Sequence, residues 1–353
     1  MRITFVDSWP AEARLGGRTA AARAGLRSGL LALGHEVVTL RPQAAPRGSV
    51  AVHRLLFNLA VPRLLKTIAA DLVVGFDFDG VFWARRRRPQ PYVVALNRVA
   101  AEARQRRPAG TRQPHRLFAW LEGDNARRAD GVVTPSRHLR EAVIRHYRVD
   151  PARLRVVPAG IDLPHWRASA PASWDGATIL GVVCRDGHAP AADLLGSLAI
   201  VRRTIPAAHA VLVSDGREQE TLCRLAETLD VATAVHVRNA AEETTLRDSY
   251  RNADVFCAPS VDEGDETVYV QAMASGLPIV ATTAAAVPEI VPSEAGVLVP
   301  PGNVEALAEA LVALLRSPAR RRELGEGGLR VAAEYDWPRV ARRFLDELER
   351  PAS

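Results

Sequence analysis

The 353-residue sequence predicts an α/β protein made of two Rossmann-like domains facing an interdomain cleft. Three observations carry that expectation. Short apolar runs bounded by turn residues alternate with helix-like stretches, which is how parallel strands joined by helical crossovers read. The series breaks once, near residue 168, at a joint rich in Pro, Ser and Ala ("LPHWRASAPASWDGA"), and then restarts. Charge divides at the same joint. Residues 1–168 hold 29 basic and 13 acidic side chains, and residues 169–353 hold 17 and 27. Two halves of opposite sign attract across any cleft between them.

In chain order, "ITFVD" gives the first strand, followed by a Gly-containing loop and a helix over Thr19 to Leu33. "HEVVTL", an amphipathic region and "DLVVGF" follow. Then come "PYVVAL", a polar Arg-rich helix near Arg116 to Arg128, and "GVVTPS". A helix over Arg137 to Tyr147 leads to "LRVVPAG". The second series runs "TILGVV", "AHAVLVSD", "TAVHVRNA", "ADVFCAPS", "LPIVAT" and "AGVLVP", mostly with helix-like segments between. The expected domains are residues 1–165 and 166–336. The amphipathic tail, residues 337–353 with "WPRVARRFLDELER", is expected to pack back on the first domain.

Ligands of such sheets bind outside the carboxyl ends of the strands. The candidate positions are therefore those just after each apolar run. They are Gly16 and Gly17, Asn97, Ala159 to Asp162, Arg185, Asp215, and the acidic group Asp262, Glu263, Asp265 and Glu266.

Composition narrows the class. A 48% hydrophobic content supports substantial cores and argues against disorder. No apolar run of about 18 residues is present, and no charged-then-apolar leader opens the chain, so a cytoplasmic location is expected. Cys184, Cys223 and Cys257 are widely spaced and read as buried free thiols, with no metal site. Lys66 is the sole lysine among 46 basic residues, a bias that says little about chemistry. Aromatic residues are few and not interleaved with the arginines, which disfavours nucleic-acid binding. No G-x-G-x-x-G follows the first strand, which disfavours a nicotinamide oxidoreductase.

Several segments together carry a family resemblance. They are "GVVTPSRHLREAVIRHYRVDPARLRVVPAGID", "YRNADVFCAPSVDEG", "QAMASGLPIVAT", "VPEIV" and "AGVLVPPGNVEALAEAL". They resemble family 4 retaining glycosyltransferases of the GT-B fold, clearly over about residues 115–335. The resemblance implies an acceptor-binding N-terminal domain and a C-terminal domain for a nucleotide-diphosphate sugar, a UDP- or GDP-sugar. It implies no metal and no cofactor, because the departing diphosphate oxygen helps remove the acceptor proton. Such a site needs cations and backbone N–H groups where negative charge grows. By the family's motifs, Glu263 hydrogen-bonds sugar hydroxyls, Arg185 grips the diphosphate bidentately, and Gly16 and Gly17 let the backbone approach phosphate. Asp215, Gly264, Asp265, Glu266, Thr267 and Gln271 are further donor-site candidates by their places after the strands, but the resemblance itself gives no account of Asp262, Asp265 and Glu266. Arg185, Glu263 and Asn97 are the implied catalytic positions.

Four positions depart from the family pattern. The second motif glutamate is Gln271, which still accepts one hydrogen bond and also donates. The lysine five residues after the arginine falls on Pro190, so a cation is lost; nearby His188 reads as a loop histidine or a partial substitute. Glu266 replaces a glycine, either as a helix start or as a carboxylate facing a cationic or hydroxyl-rich ligand. Asn97 replaces a histidine and loses the titratable role. The departures leave three readings open. The first is a transferase acting on a small hydrophilic or anionic acceptor in specialised biosynthesis. The second is a transferase acting on a membrane lipid or polysaccharide. The third is a non-catalytic binding or partner protein that keeps the fold.

Basic features bear on the second reading. Arg85 to Arg88 read as a solvated loop, or as a surface for an anionic lipid or acceptor. Arg104, Arg106, Arg107, Arg112 and Arg116 follow close by. "HRLLFNLAVPRLLK" has the composition of a membrane-docking helix, but Pro62 is expected to interrupt it and its leucines to belong to the core. Peripheral contact with an anionic membrane is therefore a secondary expectation.

Overall fold

A computed structural model describes residues 1–9, 17–42, 49–105, 112–167, 177–183, 188–214, 218–239, 243–259 and 266–350. The chain divides into two compact units. One holds Met1–Gly160 with Trp337–Ser353, and the other holds Ile161–Asp336. The sequence-based division lies at residues 165 and 166.

The first unit runs β1 (Arg2–Val6), α1 (Gly17–Ala32), β2 (Glu36–Leu40), α2 (Val50–Leu64), β3 (Leu72–Phe76), α3 (Val81–Ala84), β4 (Tyr92–Ala95), α4 (Ala100–Gln105), α5 (Arg112–Arg128), β5 (Gly131–Thr134), α6 (Arg137–Tyr147) and β6 (Leu154–Val156). Its six strands are parallel, in the order β2-β1-β3-β4-β5-β6. Strands β3 and β4 are buried at every position, as expected of strands covered on both faces. Helix α6 starts on Ser136, whose side chain accepts from Leu139 N, and it ends at Arg148 in the left-handed region.

The second unit runs α7 (Leu163–Trp166), β7 (Thr178–Val182), α8 (His188–Thr204), β8 (His209–Ser214), α9 (Gln219–Thr228), β9 (Val235–Asn239), α10 (Glu243–Arg251), β10 (Val255–Ala258), α11 (Glu266–Ala274), β11 (Ile279–Thr282), α12 (Val287–Ile290), β12 (Gly296–Val299), α13 (Val304–Leu315) and α14 (Pro318–Ala332). Its strands are also parallel, in the order β12-β11-β10-β7-β8-β9. Among the described residues, no helix is long and apolar enough to cross a membrane.

The last helix, α15 (Trp337–Glu349), belongs to the first unit and packs on α1. Two glycines one helical turn apart permit this. A Cβ on Gly25 would come within 1.8 Å of the Trp337 ring, and one on Gly29 within 2.3 Å of the Trp337 carbonyl oxygen. Val340, Ala341 and Phe344 of α15 join the core built on Ile3, Phe5, Leu26 and Leu30.

Three sequence-based expectations are corrected here. Cys223 is exposed; on α9 the buried positions are Leu222 and Ala226, one residue before it and three after. Pro62 does not interrupt α2, which continues to Leu64, close enough to its end that few hydrogen bonds are lost. The leucines of α2 are not mainly core. Val52, Leu56 and Leu59 are exposed, whereas Arg54 and Asn58 are buried. The helix turns Arg54 and Asn58 inward, where they meet the loops at the carboxyl ends of β1 and β3, and Val61 and Pro62 are its buried apolar positions.

Candidate functional site

The strand orders locate two switch points, where ligands of open α/β sheets bind. In the first unit the order reverses between β1 and β3; in the second, between β7 and β10.

At the first switch point, Asp7, Ser8 and Trp9 leave β1, and Asp77 to Gly80 leave β3. Asp79 is fully buried, and its carboxylate joins the two loops. It accepts from Ser8 N at 2.8 Å, Ser8 Oγ at 2.5 Å, Asn58 Nδ2 at 3.0 Å and Arg54 Nη2 at 3.4 Å. Arg54 Nε donates to Ser8 Oγ at 2.7 Å. Its guanidinium lies 4.3 Å from the ring centroids of both Trp9 and Phe78. Asn58 Oδ1 accepts from Gly80 N at 2.7 Å, where the backbone adopts φ 93°. A buried charge is tolerable only when paired and hydrogen-bonded in this way.

Two further carboxylates lie at this end of the sheet. Asp77 has φ 56°, uncommon for a residue with a side chain. Its peptide is held by Asp77 N donating to Ala95 O at 3.1 Å and by Asn125 Nδ2 donating to Asp77 O at 3.0 Å. Its side chain is buried, and among the described residues Oδ1 has no hydrogen-bond partner. Glu122 of α5 is also buried. Its Oε1 accepts from Ala100 N at 2.9 Å and from the Tyr147 hydroxyl at 2.6 Å. Burial, reinforced by the charge of Asp77, pushes the Glu122 carboxyl up to about 7. Burial also raises Asp7, against the pull of Arg23 at 3.2 Å and Arg41 at 3.5 Å. Trp9 Nε1 and Arg23 Nη1 are likewise buried without partners among the described residues. Buried orphans of this kind call for an explanation, and a ligand is one. The arrangement can orient a hydroxyl or hold a cation, with Glu122 able to exchange a proton near neutrality.

Asn97, expected from the sequence, lies two residues beyond β4 at the same end of the sheet. It is half-buried and has no side-chain hydrogen bond among the described residues. Gly17 opens α1, while Gly16 lies outside the described residues.

In the second unit, Arg185, Asp215, Asp262, Glu263, Gly264 and Asp265 also lie outside the described residues. The strands that precede Arg185 and Glu263 in the chain, β7 and β10, are hydrogen-bonded neighbours. Glu266 and Thr267 form the first turn of α11, where an acidic side chain suits the helix dipole. Pro190 lies in the first turn of α8, where a missing N–H removes no helical hydrogen bond. Gln271 is half-buried on α11, and its Oε1 accepts from the Tyr250 hydroxyl at 3.3 Å. Tyr250 is fully buried, stacked 5.5 Å from Phe256 and edge-on to Trp166 at 5.5 Å. The same hydroxyl proton also reaches Val268 O at 3.2 Å, so Gln271 shares it, and its amide can offer both N–H groups and an oxygen lone pair.

Sequence reasoning missed Asp77, Asp79, Glu122 and their partners. The signal for two of them was present, because "DFDG" directly follows the third apolar run, where the carboxyl-end rule points. Arg54, Asn58 and Glu122 carried no such signal, since each is a polar residue buried on a helix.

Residues 18–164 match the family described as Glycosyltransferase Family 4, and residues 177–317 match the one described as Glycosyl transferases group 1. The chain is 29% identical over 237 residues to the D-inositol 3-phosphate glycosyltransferase of Segniliparus rotundus, covering 64% of this chain and 53% of that protein. It is 34% identical over 152 residues to a GDP-mannose-dependent monoacylated α-(1-6)-phosphatidylinositol monomannoside mannosyltransferase of Corynebacterium glutamicum, covering 41% and 39%. These matches span about half or less of each relative's own length. Among solved structures, a sucrose-phosphate synthase from Thermosynechococcus elongatus matches with a TM-score of 0.80 at 21% identity, over 98% of each chain. That likeness establishes the fold, which is GT-B. With both units matched, the chain belongs to the family 4 glycosyltransferases.

Proposed function

We propose that this protein is a retaining, metal-independent glycosyltransferase that uses a UDP- or GDP-sugar and acts on a small hydrophilic or anionic acceptor. The observation that carries the reading is the match of both units to glycosyltransferase families. The likeness to a D-inositol 3-phosphate glycosyltransferase supports an acceptor of that class. The second unit holds the donor. Arg185 contacts the diphosphate, Glu263 and its neighbours contact the sugar, and the Gln271 amide donates to a ribose hydroxyl. The first unit holds the acceptor. Asp77 and Glu122 orient the attacking hydroxyl, while the departing diphosphate oxygen takes its proton on the same face of the sugar. The transition state gathers negative charge on the diphosphate, so one guanidinium and backbone N–H groups supply most of the stabilisation. With Pro190 where a lysine would stand, losing Arg185 costs more rate than it would beside a second cation.

The test is a transfer assay over a panel of UDP- and GDP-sugars with polyol and phosphorylated polyol acceptors, the product anomer being read by NMR. An α-configured product from an α-configured donor supports the reading. No transfer from any donor at high enzyme concentration refutes it and favours a non-catalytic partner protein.

A second reading places the acceptor in a membrane. The observation favouring it is the exposed stripe Val52, Leu56 and Leu59 on α2, with Leu117 and Trp120 exposed on α5. Such a surface suits the interface of a bilayer. Co-sedimentation with anionic vesicles, reversed by salt, distinguishes this reading from the first.

A further inference from the structure

A cavity of about 490 Å³ opens in the first unit, within the size range of small-molecule sites. Lys66, Ile68, Trp83, Arg86, Arg87 and Gln90 line it. Lys66 and Ile68 precede β3, and Arg86, Arg87 and Gln90 precede β4. The cavity therefore belongs to the segments that enter these strands, whereas the site above is built on the segments that leave them.

The run Arg85 to Arg88 proves to be two pairs of different kinds. Arg85 donates to Asp124 at 2.8 Å, and Arg88 is held by Ala84 O, Arg128 O and Asp130. Those two tie the loop to α5 and its end. The side chains of Arg86 and Arg87 are exposed and have no ion-pair or hydrogen-bond partner among the described residues. Lys66 is also exposed and unpaired. Three cations thus surround one cavity with no carboxylate in its lining. Lys66 follows the end of α2, whose carbonyls carry partial negative charge, but that offsets only part of one cation.

A second observation points to a ligand. Trp83 is 4% exposed, and its indole Nε1 has no hydrogen-bond partner among the described residues. Gln90 Oε1 in the same lining is also buried without a partner. An indole N–H can only donate. An anion bearing a hydroxyl or a protonated oxygen would satisfy both orphans while neutralising the cations, with Ile68 and the indole face providing apolar contact.

We propose that this cavity is a binding site for a phosphate- or diphosphate-bearing ligand, separate from the donor and acceptor sites. It does not depend on the transferase reading.

The composition supplies a direct probe. Lys66 is the only lysine, so an amine-acylating reagent has two targets, Lys66 and the α-amino group, and the second serves as an internal control. Acylation rates of both are followed by mass spectrometry at fixed ionic strength. The additions are inorganic pyrophosphate, vesicles of phosphatidic acid in phosphatidylcholine, or chloride alone. Pyrophosphate is expected to slow acylation of Lys66 at least fivefold and leave the α-amino group unchanged. The Arg86→Gln/Arg87→Gln double variant, altered only at exposed positions, and Trp83→Phe are each expected to lose most of that protection. Protection by vesicles but not by pyrophosphate assigns the same chemistry to a lipid headgroup. Absence of protection by either, or protection undiminished in the double variant, overturns the proposal.

Discussion

The Tyr147 hydroxyl of α6 lies 2.6 Å from Glu122 Oε1 of α5, joining two helices through a buried acid. Glu122 is raised from 4.5 to about 7, chiefly by burial. The folded protein therefore holds a proton that the unfolded chain has already released in that range. The stability this contributes is complete below about pH 4.5 and is lost as pH rises through about 7. Urea unfolding at pH 5 and pH 7.5 is expected to show a loss of the order of 2–3 kcal/mol from this group. Glu122→Gln, which keeps the shape and an acceptor oxygen, is expected to flatten that slope. An unchanged slope would remove Glu122 as its source.

The Asp79 network yields a stability prediction. Asp79→Ala leaves Arg54 buried without its counter-ion and frees Ser8 N and Asn58 Nδ2. Breaking a buried pair by removing one partner costs about 3–5 kcal/mol. Ser8→Ala leaves the ion pair but takes an acceptor from Arg54 Nε and a donor from Asp79, and is expected to cost about 1.5–3 kcal/mol, less than Asp79→Ala. Chemical denaturation of the two variants side by side checks the order.

Gly25→Ala tests the docking of α15. The added methyl would fall 1.8 Å from a Trp337 ring atom, so the helix must shift. Overpacking of this kind costs about 1–3 kcal/mol. The replacement would be neutral to mildly stabilising if α15 did not pack there, because alanine is the better helix former. Thermal melts of the variant and the parent decide between the two.

The donor role proposed for Gln271 gives a kinetic prediction. The single Tyr250 hydroxyl proton is shared between Val268 O at 3.2 Å and Gln271 Oε1 at 3.3 Å, so on the proposed donor role Tyr250→Phe is expected to loosen the Gln271 amide and to raise the KM for the nucleotide sugar with a smaller change in kcat. Gln271→Glu is expected to keep or raise nucleotide affinity relative to the parent, since a carboxylate accepts from both Tyr250 and a ribose hydroxyl. Steady-state kinetics on the three proteins test the assignment.

The parallel architecture was legible because strands covered on both faces must be apolar throughout, and "DLVVGF" and "PYVVAL" show it directly. The bounds of α6 were legible from the capping serine before "RHLREAVIRHY" and the amphipathic pattern that follows. Helix α2 was misread for a physical reason. Its leucines suggested the core, yet two of its inward positions belong to Arg54 and Asn58, whose partners come from the loops after β1 and β3, distant in sequence. Local hydrophobicity cannot reveal a helix that buries its polar side to satisfy a charge elsewhere. Gly25 and Gly29 were equally silent, because their meaning depends on Trp337 some 300 residues away. Asp77 and Asp79 could have been found by applying the strand-end rule to every run.

The central claim is that the second unit holds a nucleotide diphosphate through Arg185. Its most direct test is the thermal midpoint of the purified protein with saturating UDP or GDP, for the parent chain and for Arg185→Ala. A ligand at 100 times its Kd adds about 2.7 kcal/mol by mass action, enough to raise Tm by several degrees. One of the two nucleotides is predicted to produce that rise in the parent chain and to lose it in the variant. No rise from either nucleotide, or an equal rise in both proteins, would contradict the claim.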